Sequence, residues 1–345
     1  MTDSKAQPNS SDPVQADHSI SIVIPVYQGE QTLPALMDEI VPLTSTQVTP
    51  MGHTWVVGEV LLVDDNGPDD SPRVIRELTS ALPFVRPVWL SRNFGQHAAT
   101  LAGMASAGGD WVVTLDEDGQ HDPADISALL DAAMTQQSPV VYAKATNEAP
   151  HGFARNTASK AAKWILAKVS GTSNANAYSS FRLVLGNIAR SVAAYAGSGV
   201  YLDVALGWVA GRITTAPIAL RQEGGRRSGY SARRLFGHFL RMILTSGTRA
   251  LRAVAVLGVI VGIIGVILAI VVLVERIVGD IEIAGWASTV IIVLLSSGAI
   301  LFSLGVVAEY IGINVNMAMG KPPYLITTDP ANGPLGRPAR LPHDS

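Results

Sequence analysis

The chain has 345 residues, of which 48% are hydrophobic and 15% charged, with a formal net charge of −3 and a mean hydropathy of +0.29. That is too apolar for an ordinary soluble domain and points to membrane segments, while no long basic run supports a nucleic-acid partner. There is no cysteine, which excludes disulfide frameworks and thiolate metal sites.

Residues 1–18 are polar, lack the charged start and apolar core of a secretory signal, and read as a disordered cytoplasmic tail. Ser19–Pro25 is the first strand, and a helix runs from about Thr32 to Val41. Glu59–Val63 is the second strand and ends at Asp64-Asp65-Asn66-Gly67. Ser71 caps a helix with Pro72 in its first turn. Pro87–Leu90 is a third short strand, followed by Ser91-Arg92-Asn93-Phe94-Gly95-Gln96-His97 and a small-residue helix to Ala107. Trp111–Leu115 is a β-branched run that reads as a buried strand. It stops at Asp116-Glu117-Asp118, and Asp122 with Pro123 starts the next helix. Pro139–Ala143 is the fifth strand. Strands alternating with helices predict βαβ units and a largely parallel sheet, with the loops after its strands gathered along one edge.

Asp116 and Asp118 lie where a strand ends, which is where open α/β sheets bind ligands. In extended chain, residues two apart point to the same side. Two such carboxylates repel unless something positive joins them, and a divalent cation carrying a diphosphate would do so. A solvated acidic turn has the same local sequence.

Ala154–Val169 reads as a helix with Arg155, Lys160, Lys163 and Lys168, and Phe181-Arg182-Leu183 begins a further ordered piece. Leu220–Tyr230 is a basic, glycine-rich loop with Arg221, Arg226 and Arg227. Ser231–Leu244 is amphipathic, with Leu235, Phe236, Phe239, Leu240 and Ile243 on one face. A basic amphipathic helix just before a membrane span is expected to lie in the interface. Uncharged runs at 253–274 and 284–307 are each long enough to cross roughly 30 Å of hydrocarbon. Arg233, Arg234, Arg241, Arg249 and Arg252 precede the first run, whereas the connector 275–283 holds one basic residue, Arg276. This asymmetry predicts both ends in the cytoplasm and the connector outside. Gly258 and Gly262 form a GxxxG pair suited to close helix packing. The proline-rich tail from Thr327 is expected to be disordered.

In order and approximate spacing, Val23-Ile24-Pro25-Val26-Tyr27, Val63-Asp64-Asp65-Asn66, Arg92-Asn93-Phe94-Gly95, Asp116-Glu117-Asp118-Gly119-Gln120 and Phe181-Arg182-Leu183 resemble family 2 glycosyltransferases. The branch most similar is that of the polyprenyl-phosphate glycosyltransferases, and the resemblance runs from about residue 19 to 326. It implies an α/β fold of GT-A type: a Rossmann-like, mostly parallel catalytic domain over 19–230. An interfacial segment at 231–252 and a two-helix transmembrane hairpin with a return segment at 253–326 would follow, then a tail at 327–345. It implies transfer of one sugar from a UDP- or GDP-linked donor to polyprenyl phosphate, with Mg2+ or Mn2+, at the cytoplasmic face of the plasma membrane. Homo-oligomerisation is left open.

The resemblance also implies roles. Asp64 and Asp65 would hold the nucleotide, with Pro25, Tyr27, Glu30, Arg92, Asn93 and Gly95 as further donor contacts. Asp116 and Asp118 would hold the metal and, with Gln120, form the catalytic group. Arg155, Arg182, Arg221, Arg226, Arg227, Ser228 and Tyr230 would lie near donor and acceptor phosphates. Three places depart from the family pattern. Gln28-Gly29 stands where Asn-Glu is usual, Arg226-Arg227-Ser228-Gly229-Tyr230 replaces a Gly-Glu/Lys-Ser-x-Tyr loop, and Ser180 stands where an Asp often precedes Phe-Arg-Leu. A polysaccharide synthase of the same fold would carry a Gln-x-x-Arg-Trp motif, but no Trp follows Gln222 here. A non-catalytic membrane scaffold would need neither the paired acids nor the arginine loop.

Overall fold

The computed structural model describes residues 16–147, 178–197, 200–221, 249–278 and 285–334. Five elements open the chain: β1 (His18–Val26), α1 (Leu33–Ile40), β2 (Gln47–Val48), β3 (Thr54–Asp64) and α2 (Ser71–Ala81). After them come β4 (Val85–Leu90), α3 (Gln96–Ser106), β5 (Trp111–Thr114), α4 (Ile126–Gln136) and β6 (Val140–Ala145). The second part holds β7 (Arg182–Leu185), α5 (Gly186–Tyr195), α6 (Leu202–Val209), β8 (Ile213–Ile218), α7 (Arg249–Val278), α8 (Trp286–Ala318) and β9 (Ile326–Thr327).

One nine-stranded sheet runs in the order β8-β6-β7-β5-β1-β3-β4-β9, with β2 paired to β3. Strand alternation sends Ile20, Ile22 and Ile24 of β1 to one face, under α1 and α4. Val23, with Leu61 and Val63 of β3, goes to the other face, under α3 and α5. Both faces are covered, so the strands read as nearly continuous apolar runs. The small residues of α3 let it lie directly on β1 and β3. A Cβ at Gly103 would come within 2.3 Å of Val23 Cγ1 and 3.0 Å of Val63 Cγ2.

The expectation of a largely parallel sheet holds for β1, β3, β4, β5, β6 and β8, which run the same way, within a sheet that is mixed overall. β1 pairs in parallel with β3 and β5, and β3 with β4. β7, however, is inserted antiparallel between β5 and β6. The second strand also begins earlier than expected. Gly58 interrupts the apolar run, yet it is the extra residue of a bulge, since β1 pairs Ile20 with Val57 and Ser21 with Glu59.

Residues 327–334, expected to be disordered, instead lie against the sheet, while 335–345 lie outside the described residues. β9 pairs antiparallel with β4 through Trp89↔Thr327 and Leu90↔Ile326. Beyond it, Asp329 takes a two-pronged contact from Arg76, at 2.8 Å from Nε and 2.9 Å from Nη2. Composition alone gives no sign of that partner, which is 253 residues away.

α7 packs against α8, and α8 runs past the expected end at Val307 to Ala318. Its segment Leu295–Ala318 has 24 residues, a mean hydropathy of 1.7 and nothing buried. By length and composition it is able to cross a membrane. A Cβ on Gly258 or Gly262 would meet nothing within 4 Å among the described residues. The amphipathic segment 231–244 lies outside the described residues.

Gly103→Ala forces a methyl group into the α3–sheet contact. It is expected to cost about 1–3 kcal/mol by overpacking, read as a lowered melting temperature of the purified full-length chain. An unchanged melting temperature would show that α3 lifts freely from the sheet.

Candidate active site

The sheet register levels the C-terminal ends of four strands. Val26 stands beside Asp64, Asp64 beside Trp89, and Val23 beside Thr114. The loops that follow β1, β3, β4 and β5 therefore crowd one edge. Beside them lies a cleft of about 220 Å³ lined by Pro25, Gln96, Thr114, Asp116, Arg182 and Asp203, among others.

The acids are met by backbone and amide donors. Asp65 accepts from Phe94 N at 2.7 Å and Gly95 N at 2.9 Å. Gly95 holds φ +94° there, a conformation open to glycine. Asp64 is 4% exposed, and its Oδ1 has no hydrogen-bond partner among the described residues. Burial, and then the neighbouring Asp65, push its carboxyl up to about 6. Asp116 Oδ1 accepts from Gln96 Nε2 at 2.6 Å. Asp118 Oδ1 accepts from Gln120 N at 3.1 Å, across a turn in which Gly119 has φ +70°. His121 is buried against Phe181, with ring centroids 5.1 Å apart. Burial holds its imidazole below the usual range, while Asp116 and Asp118 pull the other way.

Several of the expected arginine contacts are with protein groups. Arg221 donates its backbone N–H to Gln120 O at 3.0 Å, and its guanidinium bridges Glu39 at 2.8 Å and Asp122 at 2.6 Å. Arg182 is buried and ion-paired with Asp203. Asp203 also accepts from the Tyr142 hydroxyl at 2.9 Å. Arg182 was expected beside phosphates; here it lines the cleft with its charge already matched. Arg92 lies 4.0 Å over the Phe94 ring and donates to Asn93 O at 3.0 Å. Glu30 accepts from Asp70 N at 3.3 Å and stands 3.7 Å from Arg73. Tyr27 is 43% exposed.

The structure thus brings Pro25, Asp116, Asp118, Gln120 and Arg182 to one region, with Asp64, Asp65 and Gly95 on the adjoining loops. Glu30 and Arg92 make their contacts with local partners at the surface. Arg155, Arg226, Arg227, Ser228 and Tyr230 lie outside the described residues. The sequence reading missed Glu117, whose carboxylate accepts from Tyr27 N and Gln28 N, each at 3.0 Å. It also missed Gln96, Tyr142 and Asp203 as site residues. No local pattern marks Asp203 on α6, because its partners arrive from two strands, Tyr142 on β6 and Arg182 on β7.

An α/β sheet with acidic loops gathered beside a cleft has that cleft where open α/β sheets bind ligands. Residues 21–184 match the family model for glycosyl transferase family 2. The chain is a glycosyltransferase with a family 2 catalytic domain. It is 28% identical over 314 residues to an undecaprenyl-phosphate 4-deoxy-4-formamido-L-arabinose transferase of Aeromonas hydrophila subsp. hydrophila, covering 89% of this chain and 92% of that one. A transferase of the same name from Klebsiella pneumoniae is 27% identical over 313 residues, with the same coverage. A solved glucosyl-3-phosphoglycerate synthase from Mycobacterium tuberculosis, in complex with Mn2+, UDP and phosphoglyceric acid, aligns with a TM-score of 0.47 at 19% identity. That alignment covers 68% of this chain and 78% of that one.

Asp64 supplies a pH test. A carboxyl raised to about 6 holds its proton more tightly in the folded than in the unfolded chain. Stability should therefore fall as pH rises from about 4 to 6 and stay lowered above that. Asp64→Asn removes the penalty and is expected to raise the melting temperature at pH 7.5, by up to about 2–3 kcal/mol of stability. The gain should vanish near pH 4. A variant no more stable than wild type at pH 7.5 contradicts the burial cost.

Proposed function

We propose that the chain moves one sugar from a nucleoside-diphosphate sugar to polyprenyl phosphate at the cytoplasmic face of a membrane. The product is a polyprenyl-phosphate sugar. The observation that carries this reading is the extent of the likeness to the named undecaprenyl-phosphate transferases. It covers 89% of the chain, more than the residues before α7 could supply, so the two long helices share in it. The apolar segment Leu295–Ala318 supports membrane residence. With α7 it is read as a two-span hairpin, both termini cytoplasmic by the arginine asymmetry.

In this reading the donor lies along the acidic loops. Asp64 has an oxygen without a partner among the described residues, which suits an N–H or O–H of the base or ribose, and Asp65 holds the adjoining loop. Pro25, Tyr27, Glu30, Arg92, Asn93 and Gly95 are its further contacts. Asp116 and Asp118 would hold Mg2+ or Mn2+ together with the diphosphate. Two hard carboxylates fit such an ion, which is usually bound by one or two carboxylates plus substrate phosphates. Among the described residues no larger His/Asp/Glu cluster competes for it. When bound, the ion neutralises the charge that develops on the leaving diphosphate.

The protein's own share is positioning. Gln96 orients Asp116, and Arg221 ties the Gln120 backbone to Asp122 and Glu39. An oxygen of the acceptor phosphate attacks the anomeric carbon as the bond to the donor's diphosphate breaks, and the nucleoside diphosphate leaves. The second pKa of a phosphate monoester is about 6, so the acceptor is already a dianion at neutral pH and needs no general base. Arg155, Arg226, Arg227, Ser228 and Tyr230 are assigned to the phosphates, where arginine makes bidentate contacts. Arg182 is assigned to the cleft beside Asp116.

A panel of radiolabelled UDP- and GDP-sugars, with undecaprenyl phosphate in detergent, tests this. Label should enter the lipid extract with one donor, vanish in excess chelator and return with added Mg2+ or Mn2+. Asp118→Asn should lower turnover by about a hundredfold or more. Full transfer by that variant, or in chelator, removes the metal assignment. No transfer from any donor removes the acceptor assignment.

A further inference from the structure

Glu117 stands between Asp116 and Asp118, yet its side chain turns to a different task. Its carboxylate accepts from the backbone N–H of Tyr27 at 3.0 Å through Oε2, and from that of Gln28 at 3.0 Å through Oε1 and 3.3 Å through Oε2. Room for it exists because residue 29 is glycine. A Cβ there would lie 2.8 Å from Glu117 Oε2. On its other side the same peptide segment is held by the loop after β3. A Cβ at Gly67 would fall 1.6 Å from the Tyr27 carbonyl oxygen, so the two backbones touch. The segment is anchored a third time by Gly29 N donating to Ser71 Oγ at 2.8 Å. Tyr27 therefore sits between the loop of Asp64 and Asp65 and the loop of Asp116 and Asp118, in contact with both.

We infer that Glu117 is a positioning residue of the donor site: by holding the Tyr27 and Gln28 amides it sets the distance between the Asp64–Asp65 loop and the Asp116–Asp118 loop. This rests on the reading above that the first pair takes the nucleoside and the second the diphosphate. A carboxylate facing two amide donors makes charge-assisted hydrogen bonds, stronger than neutral ones. A neutral or truncated side chain releases the segment, and the two ends of the donor are then no longer held at a fixed span. The acceptor is not gripped by this segment, so its constant should not move.

The experiment uses the full-length chain in detergent with Mg2+, titrated with UDP and with GDP. For the nucleotide that wild type binds, Glu117→Ala should bind about ten- to a hundredfold more weakly. Glu117→Gln, which keeps one carbonyl acceptor, should fall between. Amide hydrogen exchange at Tyr27 and Gln28 should speed up at least tenfold in Glu117→Ala, and the Michaelis constant for undecaprenyl phosphate should stay within twofold. Unchanged nucleotide affinity in Glu117→Ala, in a chain whose wild type binds, overturns this inference alone. So does an equal rise in both substrates' constants, which marks a merely structural role. A wild-type chain that binds neither nucleotide overturns the donor reading and this inference together.

Discussion

Everything at the site depends on keeping several carboxylates side by side on one edge of a sheet. The protein does so largely with backbone N–H groups. Asp65 takes two from Phe94 and Gly95. Glu117 takes two from Tyr27 and Gln28. Asp69 takes those of Glu30 and Ser71, at 3.1 and 3.3 Å, and Asp122 that of Ala124 at 2.9 Å. Such donors stabilise the ionised carboxylate without adding a full positive charge that a substrate phosphate would meet. Because each acid caps a loop other than its own or the start of a helix, the same contacts that settle the charges also fix the loops against one another.

The strand β7 extends this arrangement to the other side of the cleft. Its antiparallel entry beside β5 places Arg182 across from Thr114 and across from Tyr142 on β6. Asp203 from α6 then closes the buried group. A buried arginine left without its acid would carry a large desolvation cost, so the Arg182–Asp203 pair binds α6 to the sheet as well as shaping the cleft. The parallel half of the sheet supplies the acids, and the antiparallel insertion supplies the arginine.

Much of the first half was legible because local rules agree with the fold there. The run Ser19–Pro25, the Pro-initiated helices and the acidic strand ends all lie close to where pattern and capping put them. Where the reading failed, the cause was tertiary. Gly58 reads as a break because a bulge looks like one until its partner strand is known. The residues from Thr327 read as a loose tail because neither β4 nor Arg76 is near them in sequence. Arg182 stands in a recognisable motif, whereas nothing local marks its buried partner Asp203. Glu117 reads as part of an acidic cluster because the amides its carboxylate meets, those of Tyr27 and Gln28, lie 90 and 89 residues away in sequence.

The ordered tail changes how the long helices relate to the site. After α8 the chain returns along β4, where Ser91 N donates to Leu325 O at 3.0 Å, one residue beyond the strand. The following loop carries Phe94 and Gly95, the two donors to Asp65. Asp329 then holds Arg76, whose guanidinium lies 5.1 Å over the Trp89 ring. Arg76 is also the main positive charge acting on Asp64, lowering a carboxyl that burial and Asp65 raise. The segment that follows the apolar helix thus holds two groups that bear on the Asp64–Asp65 pair: the strand that leads into the Phe94–Gly95 loop, and Arg76.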